Sequence, residues 1–226
     1  MSVAAIVPPG AMAVQCMNDD DFMREALALA AAAEVRGEVP VGALVVRDGV
    51  VIGRGGNQPI VAHDPTAHAE VVALRDAAAR CGNYRLPGAT LYVTLEPCSH
   101  QGVTGPCANA IVEAGLSRVV SAIEDPDPRV TGRGHEILRK AGIDVRVGVL
   151  ADEATRANLG HILRVTQGRP MVTLKLAQTA DGFAASANPH DPRLMITGQV
   201  ANNRVQVMRA MNDAIMIGIG TALGDD

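Results

Sequence analysis

His68-Ala69-Glu70 and Pro97-Cys98, with Cys107 nine residues further on, are the residues of this chain whose types and spacing suit chemistry. One imidazole and two thiolates are soft donors for Zn2+. Three protein ligands leave the fourth tetrahedral position open, as a catalytic zinc site requires and a structural one does not. Zinc in such a site lowers the pKa of water towards about 7. Glu70, two residues from the expected ligand His68, is then placed to accept a proton and pass it on, a role worth roughly 10²- to 10⁴-fold in rate. Taken singly, Cys98 and Cys107 read as small buried hydrophobes and His68 as a hydrogen-bonded core histidine. Combined with Glu70 they read as a site. His100, two residues after Cys98, is the alternative third ligand and is otherwise expected to contact substrate or to stabilise its loop. Cys81 and Cys16 stand in no partner pattern. Asp125-Pro126-Asp127-Pro128 reads as a rigid turn in preference to a cation site.

The elements that must position these residues follow from local pattern. Asn18 and three aspartates open an Ala-rich helix over 19–36 that Gly37 ends. Val41–Arg47 and Val50–Gly53 flank Asp48-Gly49, a two-residue hairpin turn. Ala67–Arg80 is predicted helical, Ala89–Leu95 a strand, Pro106–Ala114 a helix with proline in its first position, and Arg118–Ala122 a strand. Gly134–Ala141, Asp144–Val149 and Ala151–Leu163 continue as helix, strand and helix. Strands alternating with helices predict a three-layer α/β sandwich. His68 and Glu70 then open one helix, Cys98 follows a strand and Cys107 begins another helix.

Thr166-Gln167-Gly168-Arg169-Pro170 is a polar break. Residues 1–17 are expected to be a disordered tail, 18–166 the domain that carries His68, Glu70, Cys98 and Cys107, and 170–226 a second unit with strands at Met171–Ala177 and Ala214–Ile219 and a helix over 200–211. With only about 57 residues, that unit is expected to be incomplete.

Composition narrows the function further. Of 226 residues 48% are hydrophobic but only 2% aromatic, so packing must rest on aliphatic layers. The net charge of −4, without any Lys/Arg run, disfavours a nucleic-acid partner and favours a small substrate. Four cysteines in a chain of this size favour metal binding over a disulfide framework, which implies a reducing compartment, the cytoplasm. No apolar run is long enough to span a membrane.

His68-Ala69-Glu70 with Pro97-Cys98 resembles the signature of zinc nucleobase deaminases, although the second cysteine stands at 107 instead of three residues after the first. Two families share the resemblance. Glu38-Val39-Pro40-Val41-Gly42, Asn57-Gln58-Pro59-Ile60, His63 to Glu70 and Asn83-Tyr84-Arg85-Leu86 resemble the tRNA adenosine deaminases, over roughly residues 20–98. Leu95 to Gly102, Gly105-Pro106-Cys107, Glu124 to Pro128, Gly132-Arg133-Gly134, Thr173 to Ala177 with Asp181-Gly182, and Asp213 to Thr221 resemble the riboflavin-biosynthesis deaminase/reductases. In the front of the pocket, Val39-Pro40-Val41-Gly42 departs from the Asn-Pro-x-Val-Gly usual there.

The longer resemblance implies a cytidine-deaminase-like sandwich followed by the start of a dihydrofolate-reductase-like domain. The expected activity is hydrolytic deamination of a diaminopyrimidinone ribosyl phosphate. Asn57 and His100 are expected to contact that substrate. By the same resemblance Arg209 meets the ribose phosphate, and Ala177, Thr221 and Asp225 meet NADPH, although the shortness of the unit argues against NADPH binding by this chain. A homo-oligomer is expected by resemblance. The alternatives are a tRNA adenosine deaminase and a non-catalytic zinc- or nucleotide-binding module; the presence of Glu70 speaks against the latter.

Overall fold

The computed structural model describes residues 17–100, 105–188, 191–192 and 194–224. The chain divides at Pro170/Met171 into two compact units.

In the first unit, α1 (Asp19–Val35) begins with a reciprocal cap in which the Asn18 side chain accepts from the Asp21 amide and Asp21 accepts from the Asn18 amide. Such caps contribute about 1 kcal/mol. β1 (Gly42–Arg47) and β2 (Val50–Gly56) form the hairpin, and Asp48 and Gly49 both take positive φ as its turn demands. α2 (Ala69–Cys81), β3 (Thr90–Val93), α3 (Cys107–Ala114), β4 (Arg118–Ser121), α4 (Arg133–Lys140) and β5 (Asp144–Val147) follow. The sheet order is β2-β1-β3-β4-β5, antiparallel up to β3 and parallel from β3 to β5.

One face of the sheet packs Val45, Leu91 and Val119 against α2, α3 and α4, with Ala73, Ile111 and Leu138 between them. The other packs Leu44, Tyr92 and Val120 against Phe22 and Met23 of α1. Each such fully buried aliphatic side chain contributes about 1.5–3 kcal/mol. This is the three-layer sandwich that the alternation predicts. Gly55 lets α2 lie directly on β2, because a Cβ there would sit 2.2 Å from the Ala69 carbonyl oxygen. The first turn of α2, which carries Glu70, is thereby pressed onto the sheet.

Two features differ from the expected elements. The helix foreseen over 151–163 is two helices, α5 (Ala151–Ala157) and α6 (Leu159–Gln167), broken at Asn158. The buried Asn158 side chain donates to the Ala154 carbonyl, and asparagine competes with helical hydrogen bonding in this way. Pro106 caps α3 from just outside it instead of occupying its first position.

Asp19 ties the first layer to the sheet. Its carboxylate accepts from the Tyr92 hydroxyl at 2.8 Å and from both Arg118 Nη atoms at 3.0 and 2.9 Å, and Arg146 joins at 2.6 Å. The Arg118 hydrogen bonds hold its pKa below the ordinary aspartate value. A depressed carboxylate stabilises the fold above its unfolded pKa, and that stability is lost as pH falls through the folded value. Asp19→Asn is therefore expected to lower the urea midpoint at pH 7, with the gap to the unsubstituted protein closing below about pH 4. An equal gap at both pH values would exclude an ionic origin.

In the second unit, α7 (Gln199–Ala210) matches the expected helix and α8 (Ile219–Gly224) was not foreseen. The strands expected at Met171–Ala177 and Ala214–Ile219 are not formed; 171–177 and 214–218 lie in irregular backbone, and Ile219 begins α8. Their apolar runs satisfy strand propensity, but a strand also needs a neighbour for its N–H and C=O groups, and no pairing occurs among the described residues of this unit.

Candidate metal centre

His68 is the residue before α2, and its carbonyl accepts the first helical hydrogen bond, from Val72 at 2.9 Å. The turn before it is set by Asp64, which accepts from both the amide and the hydroxyl of Thr66. Asn57, at the end of the hairpin, accepts the Ala69 amide on Oδ1 at 2.9 Å. The residue expected to meet substrate is thus also bonded to the first turn of α2.

Cys98 lies in the segment after β3. α3 begins against it, with the Cys107 amide donating to Cys98 Sγ at 3.2 Å and the Ala108 amide to the Cys98 carbonyl at 3.2 Å. The fold brings the three expected ligands together. His68 Nδ1 lies 3.2 Å from Cys107 Sγ and 3.9 Å from Cys98 Sγ, and all three donor atoms fall within 4.8 Å of one another. Tetrahedral zinc with bonds of about 2.0–2.3 Å would space its ligands roughly 3.6 Å apart. The donor set and its spacing both fit that ion. The Cys107 thiol and amide and His68 hold Cys98 below the usual thiol range, while its hydrogen bond to Cys98 and its burial hold Cys107 above it, so that the pair keeps one proton.

Glu70 is 4% exposed in the first turn of α2, and its carboxyl meets the Cys107 thiol. Burial pushes it up to about 7. A cavity of about 300 Å³ opens beside the cluster, lined by Thr66, His68, Val71, Pro106, Cys107 and Asn109 among others.

His100 is exposed at the edge of the described segment, and the loop residues 101–104 lie outside the described residues. Of the residues expected to serve a reductase, Ala177, Arg209 and Thr221 are among the described ones. Ala177 lines a cavity of about 540 Å³ with Lys175, Asp191 and Thr197. Arg209 belongs to α7 and Thr221 to α8, neither among that cavity's lining, and Asp225 lies outside the described residues.

The structural roles of three acids escaped the sequence reading. Buried Glu38 accepts the Ile60 and Val61 amides, buried Glu96 accepts four amides, and half-buried Asp125 pairs with His161 at 3.2 Å. For Glu96 the one signal in the sequence is an acid beside apolar residues, in Leu95-Glu96-Pro97. In the Asp125–Pro128 turn the carboxylates are engaged by protein groups, with Asp125 accepting the Asp127 amide and Asp127 paired to Arg129.

Residues 17–123 match the cytidine and deoxycytidylate deaminase zinc-binding region. With this sandwich and this cluster, the first unit falls in the class of zinc-binding deaminase domains. Residues 170–226 match the RibD C-terminal domain. The riboflavin biosynthesis protein RibD of Escherichia coli is 42% identical over 93% of this chain and 55% of its own length. The Thermotoga maritima diaminohydroxyphosphoribosylaminopyrimidine deaminase/5-amino-6-(5-phosphoribosylamino)uracil reductase superposes with a TM-score of 0.79 at 38% identity, covering 92% of this chain and 57% of that one. The chain belongs to the riboflavin-biosynthesis deaminase/reductase family, and it spans about half the length of the curated relatives it matches. A tRNA deaminase studied for A-to-I editing at the wobble position of transfer RNA is 39% identical over 60% of this chain and 97% of its own, with a TM-score of 0.53.

Proposed function

We propose that this chain is a zinc-dependent hydrolase that removes the exocyclic amine of a diaminopyrimidinone ribosyl phosphate in riboflavin biosynthesis. The observation that carries the reading is the convergence of His68, Cys98 and Cys107 beside the buried Glu70. When bound, zinc lowers the pKa of water and supplies a nucleophile at neutral pH. Glu70 takes one proton from the attacking water and gives it to the ring nitrogen as the C–O bond forms; it then takes the second from the new hydroxyl and gives it to the amine, which leaves as ammonia as the C–N bond breaks and the carbonyl forms. Its raised pKa suits a group that must both gain and lose a proton near neutrality. Asn57 holds the first turn of α2, and with it Glu70, in place, and borders the base together with His100. A non-catalytic zinc module would not need a carboxyl kept at the cost of burial.

The substrate class rests on family membership, which extends to both ends of the described chain. The acidic balance supports it, since an anticodon arm presents many phosphates and a ribosyl monophosphate one. The likeness to the tRNA deaminase favours a second reading, deamination of adenosine in tRNA. Zinc-loaded protein is expected to release ammonia from the diaminopyrimidinone ribosyl phosphate and little from an adenosine-containing anticodon stem-loop at equal concentration. Inosine formation from the stem-loop alone would establish the second reading instead.

NADPH is the cofactor implied by the family's reductase half. The second unit forms no sheet among its described residues, and Thr221 is not among the residues that line the cavity beside Ala177. We therefore expect calorimetric titration of this chain with NADPH to give no signal; a micromolar dissociation constant would refute that. No described helix is long and apolar enough to cross a membrane. The cytoplasmic setting rests on the cysteine usage, and assembly into a homo-oligomer is the family expectation.

A further inference from the structure

Glu96, two residues before Cys98, is 3% exposed and lies at the junction of three segments. Its Oε1 accepts the Gly134 amide at 2.9 Å and the His135 amide at 3.4 Å, both from the first turn of α4. Its Oε2 accepts the Gly132 amide at 2.9 Å and the Asp125 amide, from the segment after β4, at 3.2 Å. α4 has no cap from its own side chains, because its N-cap is Gly132. The carboxylate from the metal-ligand segment acts as that cap, satisfying amides that would otherwise be orphaned and facing the positive end of the helix.

The contact is tight on both sides. A Cβ on Gly134 would stand 2.0 Å from the Pro97 carbonyl oxygen, so the turn of α4 closes directly on the residue between Glu96 and Cys98. Beneath it, His135 is fully buried. Its Nδ1 lies 3.8 Å from Glu124 Oε1 and 4.0 Å from Glu96 Oε2, beyond hydrogen-bonding distance, and neither ring nitrogen has a hydrogen-bond partner. Glu96 thus takes its four hydrogen bonds from the backbone of a helix and a loop that are themselves fixed to β4 and β5.

We infer that Glu96 is a positioning residue for the metal centre: by capping α4 it fixes the Pro97–Cys98 segment and so sets where the Cys98 thiolate stands relative to His68 and Cys107. The inference rests on the proposed role of Cys98 as a zinc ligand. Partners that orient a ligand typically change metal affinity by roughly 10- to 100-fold when removed. Glu96→Gln keeps the shape but turns an NH₂ towards amide donors, leaving two of the four without an acceptor.

The test uses the whole chain loaded with Zn2+ or Co2+. Glu96→Gln is expected to weaken zinc by about 10- to 100-fold in competition with a chelator, and to shift the thiolate-to-cobalt charge-transfer band. Loss of a cap alone would lower the urea midpoint of the metal-free protein and leave the cobalt spectrum untouched. Gly134→Ala, which keeps the carboxylate but pushes on the Pro97 carbonyl, is expected to shift the same band, and it serves if Glu96→Gln does not fold. An unchanged cobalt spectrum and zinc affinity in the folded variants, with the band present in the unsubstituted protein, overturns the role of Glu96. No thiolate–cobalt band in the unsubstituted protein overturns the ligand assignment and this inference with it.

Discussion

Glu70→Gln is expected to leave one zinc per chain in place and to lower turnover by roughly 10²- to 10⁴-fold. The substitution is close to isosteric, and the side chain sits at 4% exposure in the first turn of α2, so packing changes little. What changes is chemical. An amide cannot accept a proton from the attacking water or from the new hydroxyl, nor pass those two protons to the ring nitrogen and the leaving amine. Zinc content should hold, because the converging donor atoms belong to His68, Cys98 and Cys107 and not to Glu70. Elemental analysis beside a single-turnover assay separates the two properties. Turnover near that of the unsubstituted protein would exclude Glu70 as the proton carrier, and loss of zinc would make it a ligand instead.

Cys107→Ala is expected to reduce bound zinc from one per chain to a trace. Cys107 is 2% exposed at the first residue of α3, and its Sγ is the donor nearest to His68 Nδ1. Alanine is well suited to that helix, so the fold should survive and the loss be confined to the metal. Losing one of three protein ligands should exceed the roughly 10- to 100-fold cost of removing an outer partner. His100→Ala is the informative control, because His100 is exposed and stands two residues after Cys98, where a third ligand is also conceivable from spacing alone. Zinc retained in Cys107→Ala and lost in His100→Ala would transfer the ligand role to His100.

Local chemistry alone accounts for most of the first unit. The capping pair Asn18/Asp21, the Asp48-Gly49 turn and the alternation of apolar runs with glycines are signals carried within a few residues, so α1, the hairpin and the order of later elements could be read directly. The break at Asn158 could not, because whether an asparagine turns back on its helix depends on its burial between packed elements. The strands foreseen at Met171–Ala177 and Ala214–Ile219 failed for a related reason: β propensity is local, but pairing needs a partner elsewhere in the chain.

The same division runs through the site. By itself the sequence determined which residue types were available, His68, Glu70, Cys98 and Cys107, because donor chemistry and proton affinity belong to side chains and travel with them. Only the tertiary structure decided that Nδ1 of one segment stands 3.2 Å from Sγ of another, that Glu70 is buried enough to be pushed up to about 7, and that Glu96 binds four amides instead of solvent. Distances across segments, desolvation and the partners of a buried carboxylate depend on how α2, α3 and α4 pack on the sheet, and no window along the chain contains that packing.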